Sequence, residues 1–447
     1  MTNRKNNAFR KMKWAMLSIS LLGLAGCSGG MPSISDMNPF KKEEPKLPGQ
    51  RISVLSAQSN TNTSLGSTTG SPVSLPGPVQ NASWEQPGGS QSNALGHLSY
   101  SGALKTIWSS SAGEGSSSDG HLTSSPIVYQ GKIFTMDAEG KVRAFSAGNG
   151  KKIWEASTKP EGEDESEGYG GGLAIDNGRL FAATGFGNVV GFNISNGKKL
   201  WEKKIGVPVR SSPTASQNRL FVVSTEGKLF CLSGIDGAEL WNVRGLPESA
   251  SLLSNTSPAV SSNVVIVPFP SGEVGAYNIK DGSTLWTESL TRRSRGAAFS
   301  AFNTAASPSI VSSTVFAVSH SGRMIAADLS SGNRKWDMNI ASNQKPYIAG
   351  NTVFLVDVAG KLVALSKSDG SRRWTLELPK SGTWSGPVVA GNRVWVVSSK
   401  GLLIGAGAAS GKVQSKRDLG TRVYIPPIIA QNKMFIYTDK ARLMALN

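Results

Sequence analysis

The sequence predicts an all-β fold, an eight-bladed β-propeller with four antiparallel strands in each blade. Seven of its 11 tryptophans recur about every 40 to 50 residues, and a repeat of that length is typical of one propeller blade. Six of the seven stand four residues after a glycine, and short β-branched runs between Asn-Gly and Asp-Gly turns separate them, as in antiparallel hairpins. The repeat tryptophans are Trp108, Trp154, Trp201, Trp241, Trp286, Trp336 and Trp374.

One repeat, residues 125–154, shows the elements of a blade in order. Three apolar runs predict three strands, at 126–129, 132–136 and 141–145. A fourth strand follows the next Asn-Gly turn and contains Trp154. Because blades pack face to face, we expect each repeat tryptophan to fill the wedge between two blades, where burial of such a ring stabilises the fold by about 2–3 kcal/mol.

The repeats also predict how the ring closes, within a propeller that we assign to residues 96–447. An eighth copy of the motif, residues 411–415, carries Ser415 in place of tryptophan. The residues after it suffice for three strands, whereas the strand that contains Trp108 has no blade of its own before it. We therefore expect the N-terminal strand to pair with the C-terminal ones and complete the last blade, which removes the open sheet edges.

The N-terminal region predicts export and a lipid anchor. Residues 1–26 are interpreted as a signal peptide, because a basic start precedes an apolar stretch too short to span a bilayer. Small residues directly before Cys27 resemble the lipobox of bacterial lipoproteins, which implies acylation of Cys27 at the periplasmic face of the outer membrane. An ordinary signal peptide is the alternative. Residues 27–95 are interpreted as a flexible tether rich in Ser, Gly and Pro, within which a segment that begins at Ala82 and runs to Leu98 could be ordered and cap the ring.

The composition argues against several classes of protein. The formal net charge of +17 favours anionic lipid or acidic protein surfaces, and the chain has no nucleic-acid-binding motif. Cys231 is the only cysteine besides Cys27, and we expect it to be a small core residue.

We expect no catalytic set, no metal site and no cofactor. His97, His121 and His320 lack metal-ligand spacing, and His320, in a turn between strands, is expected to be hydrogen-bonded or exposed to solvent. The acidic run 161–167 does not match a calcium loop and is interpreted as a solvated loop.

The irregular repeat intervals predict where a partner binds. The extra residues fall between the fourth strand of one blade and the first strand of the next, and long loops on a rigid scaffold commonly carry recognition. Apolar anchors beside arginines are typical of protein interfaces. We therefore predict as partner-binding residues Leu252, Leu253, Arg292, Arg293 and Arg295. For the two leucines, the start of a buried strand is an equal alternative.

The features that carry a family resemblance are the lipobox, the blade repeats, the stretch 327–336 and the glycines at 170–172. Through them the chain resembles the BamB (YfgL) family, in its alphaproteobacterial form. The resemblance implies a non-enzymatic scaffold subunit of the outer-membrane β-barrel assembly (BAM) complex. It also implies binding to the POTRA domains of the insertase BamA, and unfolded outer-membrane proteins as further candidate partners. In that family a Leu-x-Leu-Arg run and an Asp-x-Asp pair make the contact, and of these residues only Leu252 is matched here.

Two other classes share the repeat. Quinone-dependent (PQQ) dehydrogenases resemble the chain in blade motif, but they carry adjacent cysteines and a calcium-binding set that we cannot assemble from this sequence. A propeller that binds peptides by adding a strand to a sheet edge is the third class.

Overall fold

The computed structural model describes residues 72–118, 120–246, 255–291 and 304–447. The 32 strands in these ranges form eight sheets of four antiparallel strands, which confirms the predicted all-β, eight-bladed propeller. The first strands of successive blades lie side by side around a central channel. One short 3₁₀ helix, Glu165–Gly168, lies between blades 1 and 2. Within the same ranges no helix is long and apolar enough to cross a membrane.

The strand β1 (Thr106–Ser111) belongs to the last blade, and the next sixteen strands make blades 1 to 4. Blade 1 contains β2 (Ile127–Tyr129), β3 (Lys132–Met136), β4 (Lys141–Ser146) and β5 (Lys152–Ser157). Blade 2 contains β6 (Gly172–Asp176), β7 (Arg179–Ala183), β8 (Asn188–Asn193) and β9 (Lys199–Lys204). Blade 3 contains β10 (Thr214–Ser216), β11 (Arg219–Val223), β12 (Lys228–Ser233) and β13 (Glu239–Arg244). Blade 4 contains β14 (Ala259–Ser261), β15 (Val264–Pro268), β16 (Glu273–Asn278) and β17 (Thr284–Ser289).

Blades 5 to 8 follow the same order. Blade 5 contains β18 (Ser309–Val311), β19 (Thr314–Val318), β20 (Arg323–Asp328) and β21 (Arg334–Asn339). Blade 6 contains β22 (Tyr347–Ala349), β23 (Thr352–Val356), β24 (Lys361–Ser366) and β25 (Arg372–Glu377). Blade 7 contains β26 (Trp384–Ala390), β27 (Arg393–Ser398), β28 (Leu402–Gly407) and β29 (Val413–Asp418). Blade 8 contains β30 (Ile428–Ala430), β31 (Lys433–Tyr437), β32 (Arg442–Leu446) and β1.

Blade 8 closes the ring as predicted, because β1 pairs antiparallel with β32. Beyond the strands, the backbones of Lys105 and Asn447 exchange two hydrogen bonds, of 2.9 and 3.3 Å. Backbone pairing thus joins the two ends of the propeller, and the Trp108 ring packs on Phe435 across the same junction, with ring centres 6.0 Å apart.

Every blade carries a β-bulge at the same place, between its third and fourth strands. In blade 2, Trp201 pairs with Gly191 and Lys199 pairs with Phe192, so that Leu200 has no partner of its own. A bulge increases the local twist and interrupts pairing. The outer edge of each blade is consequently a poor template for a further strand.

Each repeat tryptophan binds the next blade through the turn between that blade's third and fourth strands. In blade 1, Trp154 Nε1 donates a hydrogen bond to Ile194 O of blade 2, at 3.1 Å. Its ring covers Gly197, whose φ is +72° and where a Cβ would lie 2.5 Å from the indole. The motif glycine is thus required for two reasons: the turn needs its positive φ, and the indole ring leaves no space for a Cβ. The same bond joins Trp108 to Ala147, Trp201 to Gly234, Trp241 to Ile279, Trp286 to Leu329, Trp336 to Lys367 and Trp374 to Ala408.

The structure also explains why Ser415 replaces the eighth tryptophan. Ser415 lies in β29 of blade 7 and faces blade 8, whose third and fourth strands come from opposite ends of the chain. Blade 8 therefore has no turn between these strands to receive an indole. Arg417 joins the two blades instead, since its guanidinium donates to Leu104 O and to Thr106 Oγ1.

Cys231 is buried and is not part of a disulfide bond, as expected for a core residue. It pairs across β12 and β13 with Trp241, the position that alanine or glycine occupies opposite the tryptophans of other blades. A small side chain is needed there because the indole lies over it. Burial raises the pKa of the Cys231 thiol to about 12, so the reactive thiolate is suppressed.

Candidate functional site: a channel closed at one end

The first strand of each blade leaves one edge unpaired along the central channel, and the segment 72–98, here called the plug segment, covers these edges. Trp84 exchanges two backbone hydrogen bonds with Val128 of blade 1, of 2.7 and 2.8 Å. The segment also makes backbone or side-chain hydrogen bonds to each of the remaining seven blades. The residues contacted are Ile175, Ala215, Val260, Ile310, Asn351, Val389 and Gln431. Backbone groups that would otherwise face the channel unpaired are satisfied in this way.

Two buried amides hold the plug segment in the channel. Gln86 Nε2 donates to Ile175 O at 2.9 Å and to Ala215 O at 3.0 Å, and Gln86 Oε1 accepts from Ala215 N at 3.1 Å. Asn93 Nδ2 donates to Pro308 O at 2.9 Å and to a carbonyl of blade 4. Residues 72–95, which the sequence analysis included in the flexible tether, are therefore packed on the propeller, because their polar groups complete the inner strand edges.

Lys345 joins the plug segment to blade 6. Its Nζ donates to Gly88 O at 2.8 Å and to Asn93 O at 3.0 Å, and it lies 5.4 Å from the centre of the Tyr347 ring. The side chain is half-buried, and burial lowers the pKa of Lys345 to about 7. Lys345 is in none of the ion pairs formed within the described ranges.

The rest of the channel forms a cavity of about 690 Å³, here called the cup. Its floor is the plug segment, with Trp84, Pro87 and Gly88. Its walls come from connections that lead into first strands and from turns between second and third strands. Both kinds of connection emerge on one face of an up-and-down propeller, here called the loop face. The cup therefore opens on the face where sequence reasoning placed the partner.

The predicted partner-binding residues Leu252, Leu253, Arg292, Arg293 and Arg295 lie outside the described residues. So does Cys27. The described ends of the two connections concerned do reach the cup, since Asn255 and Ser307 are among its lining residues. The prediction for the five residues themselves stays a prediction.

The three histidines lie apart. His97 is buried in the plug segment, where Nδ1 lies 2.7 Å from Pro76 O and Nε2 accepts from Asn392 N at 3.0 Å. His121 is exposed. His320 lines the cup and is half-buried, and its Nδ1 is buried without a hydrogen-bond partner in the described part of the chain. The sequence around His320 shows only a turn between strands, and nothing in it indicates that closure of the propeller places this residue at a cavity.

The acidic run lies in the connection from blade 1 to blade 2. Glu161 and Glu163 are exposed, as a solvated loop requires, and Lys159 Nζ donates to Glu163 O at 3.0 Å. Next to it, Arg210 lies 4.1 Å above the centre of the Tyr169 ring. Across the described ranges, no three His, Cys, Asp or Glu side chains lie close enough to hold a metal ion.

The comparison with known proteins agrees with this architecture. A profile of the family described as outer membrane protein assembly factor BamB matches residues 98–168, 138–376 and 360–447. An outer membrane protein assembly factor BamB from Vibrio cholerae serotype O1 is 37% identical over 241 residues, which are 53% of this chain and 61% of that protein. The chain thus matches less than two thirds of the length of this relative.

Two solved structures share the fold at low sequence identity. BamB from Moraxella catarrhalis superposes with a TM-score of 0.67 at 16% identity, covering 77% of this chain and 100% of the other. The quinohemoprotein alcohol dehydrogenase from Comamonas testosteroni superposes with a TM-score of 0.65 at 12% identity, covering 82% and 81%. At these identities the likeness establishes the fold alone, since one fold serves many functions.

Proposed function

Since the chain belongs to the BamB family of outer membrane protein assembly factors, we propose that it is a non-catalytic scaffold subunit of the outer-membrane β-barrel assembly complex. The observation that carries the proposal is the family match, which extends over the propeller from residue 98 to residue 447. In this role the protein binds the POTRA domains of a BamA-like insertase and assists the delivery and insertion of outer-membrane proteins. Unfolded outer-membrane proteins are a second candidate partner.

The proposed contact with the insertase is on the loop face. The connections from blade 3 to blade 4 and from blade 4 to blade 5 contain Leu252, Leu253, Arg292, Arg293 and Arg295. Their described ends lie in neighbouring blades of a rigid ring. Leucine and arginine side chains presented together suit a protein surface with apolar pockets and carboxylates.

The experiment is charge reversal. The triple variant Arg292→Glu, Arg293→Glu and Arg295→Glu should lose most of its co-purification with the insertase from detergent-solubilised envelopes. The matched control carries Lys198→Glu, Lys199→Glu and Lys204→Glu at exposed positions on the outer side of blade 2, which changes the net charge equally. Equal recovery of the insertase with both variants and the unaltered protein would contradict the proposed contact.

We further propose that the mature protein is attached to the periplasmic face of the outer membrane through lipid on Cys27. The support is the sequence of small residues before this cysteine. Cys27→Ser should abolish incorporation of labelled palmitate and move the protein out of the membrane fraction. Unchanged labelling in this variant would exclude Cys27 as the lipid attachment site.

The alternatives have less support. A quinone-dependent dehydrogenase would need a carboxylate-rich calcium site, and no such group of side chains occurs within the described ranges. Peptide binding by strand addition would need a regular free edge, whereas the fourth strand of every blade is bulged. Absorbance of the purified protein after addition of quinone and calcium tests the enzyme alternative directly.

A further inference from the structure

We propose that the cup binds a carboxylate carried on an apolar body, with the amino group of Lys345 as its cationic partner. A peptide with a free C-terminus and a small organic acid both have this chemistry. The site lies on the same face as the proposed contact with the insertase but uses other residues, and the inference does not depend on the scaffold role.

The first argument is the position of Lys345. Two of its three N–H groups are directed by the plug segment, to Gly88 O and Asn93 O, which fixes the amino group at the floor of the cup. The described residues provide no hydrogen-bond acceptor for the third N–H and no carboxylate within ion-pair distance. A partly buried ammonium without an anion is less stable than one with an anion, and an anionic ligand in the cup would supply that partner.

The second argument is His320, which also lines the cup. Its backbone N–H donates to Thr304 O at 3.2 Å, so the turn that carries the ring is held in place. Its Nδ1 is buried and has no hydrogen-bond partner in the described part of the chain. Buried polar atoms of native proteins are normally satisfied, so this nitrogen beside the cup is a candidate for a hydrogen bond to water or to a ligand.

The third argument is the apolar lining. Trp84 forms part of the floor, and the Trp384 indole is fixed by a hydrogen bond from Nε1 to Pro379 O at 3.2 Å. Other apolar lining residues are Leu122, Leu378, Tyr424 and Ile425. The volume lies within the range of small-molecule sites, about 300–1,000 Å³, which combine apolar walls with a few polar groups. A ligand that carries one or two apolar side chains is thus of a size that fits the cup.

The fourth argument is the balance of charge. Among the described residues, the titratable groups that line the cup are His320, Lys345, Asp357, Lys380 and Tyr424, so that Asp357 is the one carboxylate of this set. This carboxylate is occupied in its own turn, where Oδ1 accepts from Lys361 N at 2.8 Å. The remaining lysines make the cup attractive to an anion and not to a cation.

This arrangement predicts a dependence on pH with a definite sign. Burial lowers the pKa of Lys345 to about 7, so above neutral pH the empty cup holds an uncharged amine. A bound carboxylate favours the ammonium form, so binding above pH 7 takes up a proton. The affinity should therefore be highest below pH 7 and fall up to about tenfold per pH unit above it.

The test is calorimetry on the full chain with four probes: N-acetyl-Ala-Leu, 3-phenylpropionate and the amide of each. Both acids should bind at least tenfold more tightly than their amides, with proton uptake at pH 8 shown by two buffers of different ionisation enthalpy. Tighter binding of the peptide assigns a chain terminus as ligand, and tighter binding of 3-phenylpropionate assigns a small organic acid. Equal affinity for acids and amides, binding of none of the four, or no proton uptake overturns the proposal.

Variants separate Lys345 from its neighbours. Lys345→Met should weaken binding of the acids at least tenfold and remove the pH dependence, whereas His320→Gln should weaken binding and leave the pH dependence in place. Lys367→Met, at a turn on the opposite face, is the control and should change neither. Because Lys345→Met could loosen the plug segment, its melting temperature is measured too. Proton uptake by the unaltered protein needs no variant and decides the question if Lys345→Met fails to fold.

Discussion

The contact between each tryptophan and the glycine of the next blade makes a quantitative prediction for Gly197→Ala. Gly197 has a φ of +72°, and a Cβ there would lie 2.5 Å from Trp154 Cε3 and 2.8 Å from Cδ2. The left-handed backbone costs a non-glycine residue about 1–2 kcal/mol. Displacement of a packed indole adds about 1–3 kcal/mol, as in other overpacked cores. We expect the free energy of unfolding to fall by about 2–5 kcal/mol in total.

Gly131→Ala is the matched control. Gly131 has the same φ of +72°, but no atom lies within 4 Å of the site of its Cβ. This variant should therefore lose only the backbone contribution. Guanidinium unfolding followed by tryptophan fluorescence measures both variants. The difference between them reports the indole contact, and it should shrink when Trp154 is replaced by leucine. Equal destabilisation by Gly197→Ala and Gly131→Ala would refute the role assigned to the glycine.

Three further predictions concern packing and burial. Trp154→Ser should lower the free energy of unfolding by about 3–5 kcal/mol. Ser415→Trp should not raise the free energy of unfolding, because blade 8 has no turn to receive the indole ring. A Ser415→Trp variant more stable than the unaltered protein would contradict this explanation. Gln86→Leu should cost about 2–4 kcal/mol and speed hydrogen exchange at Ala215 N–H, while Gln217→Leu at an exposed turn should do neither. Asp137→Asn should cost about 3 kcal/mol because Glu155 is then the one carboxylate left beside buried Arg143 in the described ranges, and a cost no larger than that of the exposed Lys152→Gln would disprove this assignment.

The features that the sequence predicted are those with a short-range or periodic signal. Hairpin turns, the spacing of the tryptophans and the incomplete last repeat led to eight blades and to closure by β1 and β32. The small residue at Cys231 was also predictable, since other repeats place alanine at the equivalent position.

The features that the sequence did not reveal depend on contacts between distant residues. Gln86 and Asn93 bind carbonyls that are 89 to 215 residues away, and nothing near them in sequence repeats. Lys345 and His320 became candidates for a site only because ring closure and the plug segment enclose them in one cavity. That the long connections carrying Leu252 and Arg292 bind a partner is still a prediction, which rests on loop length and composition.

The composite blade has a consequence for how the chain folds. Strand β1 is synthesised before all the others, and its partner β32 follows only after seven blades have been made. Each of those blades can form from consecutive hairpins, but the ring cannot be completed until the last strand leaves the ribosome. A chain interrupted anywhere in blade 8 would keep β1 without a neighbour and leave a blade-wide gap in the circle. Circularity in this protein thus requires β32, and copies that lack this strand carry exposed strand edges open to pairing with other chains.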